Sequence, residues 1–392
     1  MLDRLQDTPP DALLALISQF AADERADKID LGVGVYRTDD GATPVFEAIK
    51  GAERRLLDEQ DSKSYLGPEG DKGFVKALMP IVFGADAGND GLIDGLQTPG
   101  GTGAVRLAVA LAELAGVTRV HLGTPSWPNH IPIIEDVGLE AVTFSHSNDD
   151  GSADIDALIE VIRAGREGDA VLIHACCHNP SGVDYSPQQW DAIADALADS
   201  RVLPIIDSAY QGLGEGLEED AAGLRKVLAK VPYALIAYSC DKNFGLYRDR
   251  VGAFYIKVAK ADEMGPALSN AAALARANWS MPPDHGAAAV RIILGDEDLR
   301  KTWLTELETM RKRLRWVRAY LAAAHDKVPG VPLAHLEEQN GLFAMLPLDK
   351  EQIGRLKTDH GVYMAGSGRI NIAGLTKGNI DKFIAALADV AA

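Results

Sequence analysis

The stretch Ala237-Tyr-Ser-Cys-Asp-Lys-Asn-Phe-Gly-Leu-Tyr-Arg-Asp-Arg-Val-Gly252 decides how the chain is read. The apolar run Ala234 to Tyr238 enters it as a buried strand and a second run, Val251 to Ile256, leaves it. Lys242 stands at the junction, before an Asn-Phe-Gly turn. Strand-to-loop junctions are where side chains that do chemistry are commonly presented. A lysine there is either a solvated loop cation or a desolvated amine able to form a Schiff base. Its neighbours favour the second reading. Ser239 precedes it and Arg250 follows it closely enough for a hydroxyl and a guanidinium to converge on one anion.

The same pattern repeats on the N-terminal side. Val120 to Leu122, Ala141 to Phe144, Ala170 to Cys177, Val202 to Ile206, Ala234 to Tyr238 and Ala253 to Ile256 are short apolar runs separated by helical stretches. Continuous apolar strands alternating with helices predict an α/β fold whose mostly parallel sheet is covered by helices on both faces. Four runs end in polar clusters: Thr124 to His130, His178 to Gly182, Asp207 to Gly212 and Ser239 to Lys242. Ligands of open α/β sheets bind outside the carboxyl ends of the strands, so these clusters are expected to meet at one site. The segment Gln97-Thr-Pro-Gly-Gly-Thr-Gly-Ala-Val-Arg106 opens a helix running to about Ala115, with Thr102 as its expected N-cap. Backbone N–H groups of Gly101 and Thr102 at that helix start form an anion seat. The segment has neither the GK[ST] ending of a P-loop nor the full GxGxxG of a dinucleotide fold.

Further out, residues 11–20 read as an amphipathic helix, and residues 29–36 as a strand running into glycine-rich backbone that something approaches closely. Helices are expected over 43–57 and 73–83, with a Pro-Gly loop between them that carries Tyr65. Ser186-Pro187 starts another helix. Arg276 precedes an aromatic and two helix-breaking prolines. Trp303, Leu307, Met310, Leu314, Val317 and Leu321 form one apolar stripe on a long helix suited to join two domains. Short strands follow over 331–348 and 361–373, then a last helix over 379–390. The expected organisation is a large cofactor-binding domain over 45–309 and a smaller α/β domain from 1–44 and 310–392.

A chain of 392 residues with 47% hydrophobic content can fill two cores. Its net charge of -18 and pI near 4.9 argue against nucleic acid or an anionic membrane as partner. Cys176, Cys177 and Cys240 lie at apolar positions without metal-ligand spacing, so reduced thiols and no metal are expected. The N-terminus lacks a basic region followed by an apolar core, and no run of about 18 apolar residues occurs, which makes soluble and cytoplasmic the expectation.

The ordered set, from about Leu13 to the C-terminus, resembles the fold-type I (class I) pyridoxal-phosphate aminotransferases of the aspartate and aromatic amino acid type. Ser239, Lys242, Asn243-Phe244-Gly245 and Arg250 carry the likeness most clearly. The resemblance implies pyridoxal phosphate as cofactor and assigns roles. Lys242 carries the cofactor and then shuttles the substrate proton. Asp207 keeps the ring nitrogen protonated, with His130 supporting it from behind. Trp127 stacks on the ring, and Asn179 and Tyr210 bond its oxygen. The phosphate falls to Gly101, Thr102, Ser239 and Arg250, with Tyr65 arriving from the neighbouring subunit. Gly34, Trp127 and Asn179 line the substrate pocket, Arg369 clamps the α-carboxylate, and Arg276 reaches a distal carboxylate across a homodimer interface. Four positions depart from the family pattern: Asp241 before the lysine, Gly100 for a frequent serine, Trp279 for a tyrosine and Met281 for an asparagine. An acid at 241 would repel a phosphate unless turned away or paired. The expected reaction is transamination between an aromatic or dicarboxylic L-amino acid and 2-oxoglutarate. Strict aspartate transamination is the alternative, and a pyridoxal-dependent lyase or decarboxylase is a more distant one.

Overall fold

Every residue of the strands Asp169–His174 and Ala234–Ser239 is buried, which requires a sheet covered on both faces. In the computed structural model, which describes residues 2–7, 12–148 and 150–391, these belong to a seven-stranded sheet. In chain order the strands are β1 (Ile29–Asp30), β2 (Ile93–Pro99), β3 (Arg119–Thr124), β4 (Glu140–Ser145), β5 (Asp169–His174), β6 (Leu203–Ser208), β7 (Ala234–Ser239), β8 (Val251–Lys257), β9 (Phe343–Met345), β10 (Val362–Tyr363) and β11 (Arg369–Asn371). The large sheet has the order β2-β8-β7-β6-β5-β3-β4. Its strands from β4 to β7 pair in parallel. On one face, Leu122, Leu172, Ile205, Leu235 and Phe254 share a core with Ala104, Leu107, Ala108 and Leu111 of the helix Gly100–Leu114. Residues of the opposite face, among them Val171, Ile206, Ile236 and Tyr255, are buried as well.

Two features of this sheet differ from the sequence expectation. The run at Ala253 to Ile256 belongs to β8, which pairs antiparallel with both neighbours. The link 240–250 contains no helix, and a parallel return needs a longer crossover. Strand β2 was not anticipated, because Gly95 and Pro99 dilute the β-branched pattern. It leads directly into the helix Gly100–Leu114, whose N-cap is therefore Pro99 rather than Thr102. The helix expected from Thr43 begins at Glu47, since Phe46 is extended. Its first N–H groups, on Glu47 and Ala48, donate to the Glu306 carboxylate at 2.7 and 3.2 Å. Ala12–Ala22 is helical, while Asp11 lies outside the described residues.

Contacts divide the chain into Met1–Ala42, Leu314–Glu338 and Leu342–Ala392 on one hand and Thr43–Arg313 with Gln339–Gly341 on the other. In the larger unit the aromatic stack Phe244–Trp303, with rings 4.4 Å apart and 4° from parallel, anchors the Lys242 loop to the long helix Glu297–Ala322. All six positions of the expected stripe, from Trp303 to Leu321, are buried. In the smaller unit β1 pairs in parallel with β10, and β9 pairs antiparallel with β11. Arg318, buried there, donates to the Phe343 carbonyl at 2.6 Å and so fixes β9.

Trp303 buries an aromatic ring and donates its indole N–H to the Asn243 carbonyl at 2.7 Å. Trp303→Ala should cost about 3–5 kcal/mol, the range for deleting a buried aromatic. The urea midpoint of the larger unit checks this, and an unchanged midpoint would contradict the anchoring role.

Candidate active site

Lys242 comes three residues after Ser239, the last residue of β7, and the residues that follow it hold the loop still. Asn243 donates through Nδ2 to the Gln211 carbonyl at 3.2 Å and to the Tyr238 hydroxyl at 2.9 Å. Gly245 takes a left-handed φ of 68°, which lets Phe46 lie against its Cα, and Phe244 packs on Trp303. The Lys242 ammonium sits 5.1 Å from the Tyr210 ring centre. Burial pushes its pKa below the ordinary lysine value, and Arg250 pushes the same way. The negative charges of Asp241 and Asp207 oppose the shift without cancelling it.

Asp207 is paired with Ala237 across β6 and β7, so its carboxylate lies at the same end of the sheet. His130 Nε2 donates to its Oδ2 at 3.1 Å, while His130 Nδ1 faces the Ser126 hydroxyl at 2.8 Å. Burial alone would raise the Asp207 pKa. The His130 hydrogen bond, with the charges of His130, His174 and Lys242, outweighs it and holds the carboxyl below its ordinary value. Behind this pair runs a chain of imidazoles. His130 meets His174 at 5.1 Å, His174 meets His178 at 4.4 Å, and His178 stacks on His146 at 3.5 Å. Burial pushes His146 down to about 4 and His174 down to about 3, and holds His178 well below the ordinary histidine value.

A second polar cluster lies at the same end of the sheet, where β2 and β7 end and β8 begins. Ser239, opposite Gly252 across β7 and β8, stands beside Gly101, where an added Cβ would come within 2.9 Å of Ser239 Cβ. The first N–H groups of the helix starting at Gly100 have no intrahelical acceptor, and no N-cap side chain accepts from them. Arg250 lies over Gly100, and its Nη1 pairs with Asp241 Oδ2 at 2.5 Å. The acid before the lysine is thus paired.

The remaining expected residues divide into two groups. Asn179 and Tyr210 are brought together, Nδ2 to Oη at 3.4 Å, and Trp127 packs edge-on against His130 at 5.1 Å. Tyr65 is 93% exposed and is not gathered into this cluster. Arg276, exposed on the last turn of the helix Ala261–Asn278, donates to the Ser280 hydroxyl. In the smaller unit, Arg369 on β11 donates to the Gly32 carbonyl at 2.9 Å, with its guanidinium 4.6 Å from the centre of the Phe343 ring. Gly34 faces the same ring, and Asn371 holds the adjoining backbone by donating to the carbonyls of Val33 and Val35 at 2.6 and 2.8 Å. Sequence reasoning missed Ser126, His174, His146 and Asp184. Asp184 accepts the N–H groups of Cys177 and His178 at 2.8 and 2.9 Å and shapes the loop carrying Asn179. Ser126 lies in a polar strand end, but His174 sits inside an apolar run and His146 and Asp184 lie outside the polar clusters, so no local signal marks them.

A family model for aminotransferases of class I and II matches residues 26–387. The chain belongs to that family. Among its relatives is the tyrosine aminotransferase of Rhizobium meliloti (strain 1021), 49% identical over 376 residues, covering 96% of each chain. The aspartate aminotransferase of Escherichia coli (strain K12) is 40% identical over 385 residues, covering 97% of each. The aromatic-amino-acid aminotransferase of Burkholderia pseudomallei, solved covalently bound to pyridoxal phosphate, superposes with a TM-score of 0.96 at 32% identity, covering 100% of both chains. The present aminotransferase is therefore a transaminase of α/β fold that uses pyridoxal phosphate.

Its residues fit that cofactor. Asn179 Oδ1 is buried without a hydrogen-bond partner, an orphaned acceptor beside Tyr210 and in the loop following β5. Gly101 puts no side chain between the helix start and Ser239, and the helix start, Ser239 and Arg250 are donors suited to a phosphate. Asp207 supplies the negative charge that a protonated ring nitrogen requires.

The buried histidines give the aminotransferase a defined acid sensitivity. Above the ordinary histidine pKa of about 6.5 they are neutral in both the folded and the unfolded chain. Below it the unfolded chain takes up protons that buried His146, His174 and His178 refuse, so stability is lost as pH falls toward about 4 and then about 3. The urea midpoint should fall across this window, and His174→Asn should flatten part of the slope. An unaltered slope in that variant would contradict the assignment.

Proposed function

We propose that the aminotransferase transfers an amino group between an aromatic or dicarboxylic L-amino acid and 2-oxoglutarate. The observation that carries the reading is a desolvated Lys242 amine set beside Tyr210 and the buried Asp207–His130 pair. The larger unit is the cofactor-binding domain. Pyridoxal phosphate, when bound, supplies an electron sink for the carbon losing its proton. Lys242 would carry the cofactor through its amine, and that amine, once free, would be the base that takes the proton from the substrate Cα and holds it for return. A depressed pKa favours both tasks, because an ammonium neither attacks nor accepts a proton. Asp207, kept anionic by His130, holds a proton on the ring nitrogen. Trp127 covers the ring, and Asn179 and Tyr210 hydrogen-bond its oxygen. Gly101, Thr102, Ser239 and Arg250 grip the phosphate.

Arg369 takes the substrate α-carboxylate in a bidentate clamp, and Gly34 leaves room beside it. Tyr65 and Arg276 serve a second copy of the chain, so the working form is a cytoplasmic homodimer. Their exposure supports this reading, since neither is buried in its own chain. The buried free thiols of Cys176, Cys177 and Cys240 accord with a reducing compartment.

Arg276 favours dicarboxylates, while Trp279 and Met281 beside it offer apolar surface for an aromatic donor. The 49% identity to a tyrosine aminotransferase supports aromatic donors, and the 40% identity to an aspartate aminotransferase supports aspartate as a further donor.

Borohydride treatment should fix the cofactor to the peptide bearing Lys242, and Lys242→Ala should lose about a hundred- to ten-thousandfold in turnover through loss of the proton shuttle. A label on another peptide would refute the assignment. Asp207→Asn should retain the fold and lose orders of magnitude in kcat; near-normal turnover would remove Asp207 from its role.

Arg276→Leu should cost aspartate about a hundredfold in kcat/KM and phenylalanine little. Equal losses would mean that Arg276 does not read the distal group. A preference of the unaltered enzyme for aspartate above about a thousandfold, near 4 kcal/mol, would instead make it a strict aspartate aminotransferase.

A further inference from the structure

The acid that precedes the lysine is built into the anion seat. The Asp241 side chain is 3% exposed. Its Oδ1 accepts the Val251 N–H at 3.1 Å and its Oδ2 accepts Arg250 Nη1 at 2.5 Å. One end of the carboxylate is thereby tied to the first residue of β8, so it is a fixed strut. Arg250 has a left-handed φ of 55°, a conformation non-glycine residues seldom hold, and its Nη1 also reaches the Tyr247 carbonyl at 3.1 Å.

Gly100 is the complement of this strut. It begins the helix with a φ of 69°. A Cβ there would stand 2.6 Å from Arg250 Nη2, 2.9 Å from its Cζ and 3.0 Å from Asp241 Oδ2. No side chain fits at 100 while the Asp241–Arg250 pair is in place. The two departures from the family pattern, an acid at 241 and a glycine at 100, are parts of one arrangement.

A second negative charge beside a phosphate-binding arginine weakens its attraction for an anion, so its presence needs a compensating gain. Holding the guanidinium in one orientation over the helix start supplies it, because the fork of donors meets the phosphate without first losing side-chain freedom. We propose that Asp241 is a positioning residue of the phosphate seat, which sets the Arg250 guanidinium over the first turn of the helix Gly100–Leu114 and requires glycine at 100 to do so. This rests on the reading that the helix start, Ser239 and Arg250 hold the cofactor phosphate.

The test compares pyridoxal phosphate with pyridoxal, the same aldehyde without its phosphate, on apoenzymes of the unaltered protein and its variants. Asp241→Asn should release pyridoxal phosphate about tenfold faster, the loss expected for one hydrogen bond to a charged group, and should bind pyridoxal as before. Gly100→Ser should also weaken retention of the phosphate form. In the Asp241→Ser background that second change should cost less than it does alone, since Arg250, no longer held by Asp241, can move away from position 100. Unchanged pyridoxal binding at Lys242 also reports an intact fold. Equal losses for both aldehydes, retention of pyridoxal phosphate as good as or better than before in Asp241→Asn, or strict additivity of the two substitutions would each overturn the proposal. Failure of the unaltered protein to bind either aldehyde at Lys242 would instead overturn the reading of the site on which it rests.

Discussion

The structure around the site depends on keeping one primary amine out of water between two carboxylates. Burial lowers the Lys242 pKa and the anions of Asp207 and Asp241 raise it again, so the amine is poised rather than abolished as a base. This balance requires a loop that does not move. The lysine is followed by Asn243, whose amide is bonded at two points, and by Phe244, which is stacked on Trp303. A looser loop would let the ammonium reach solvent and recover its ordinary pKa.

The same logic extends to Asp207. A buried carboxylate without partners would take up a proton, and His130 prevents that with one hydrogen bond. The cost is passed backwards. His174 and His178 stay neutral because they are buried, and a charged imidazole there would have to be accommodated beside three others. The charge pattern of the site is therefore fixed over more than one layer of side chains.

Much of this was legible in the sequence because it is local. Apolar runs ending in polar clusters mark parallel strands, and a lysine between a serine and an arginine marks an anion site; both signals lie within a few residues. What was not legible depends on long-range contacts. Strand β2 carries glycine and proline and is a strand only because β8 returns beside it. The start of the helix at Glu47 is set by Glu306, more than two hundred and fifty residues away, which no local pattern announces. That an acid at 241 has to be turned away or paired was legible in the sequence, but not that its partner is Arg250 or that the pair excludes a side chain at Gly100. Tyr65 and Arg276 were singled out only through resemblance, since an exposed tyrosine and an exposed arginine carry no signal of their own.

The most direct test is the titration of Lys242 itself. Isotopic methylation of the apoprotein, with Lys242→Arg to assign the resonance, would report its pKa by nuclear magnetic resonance. A value below that of an ordinary lysine, falling further in Asp207→Asn because an opposing anion has been removed, is what this account predicts. A Lys242 that titrates at or above the ordinary lysine value, or one indifferent to the charge at 207, would contradict it.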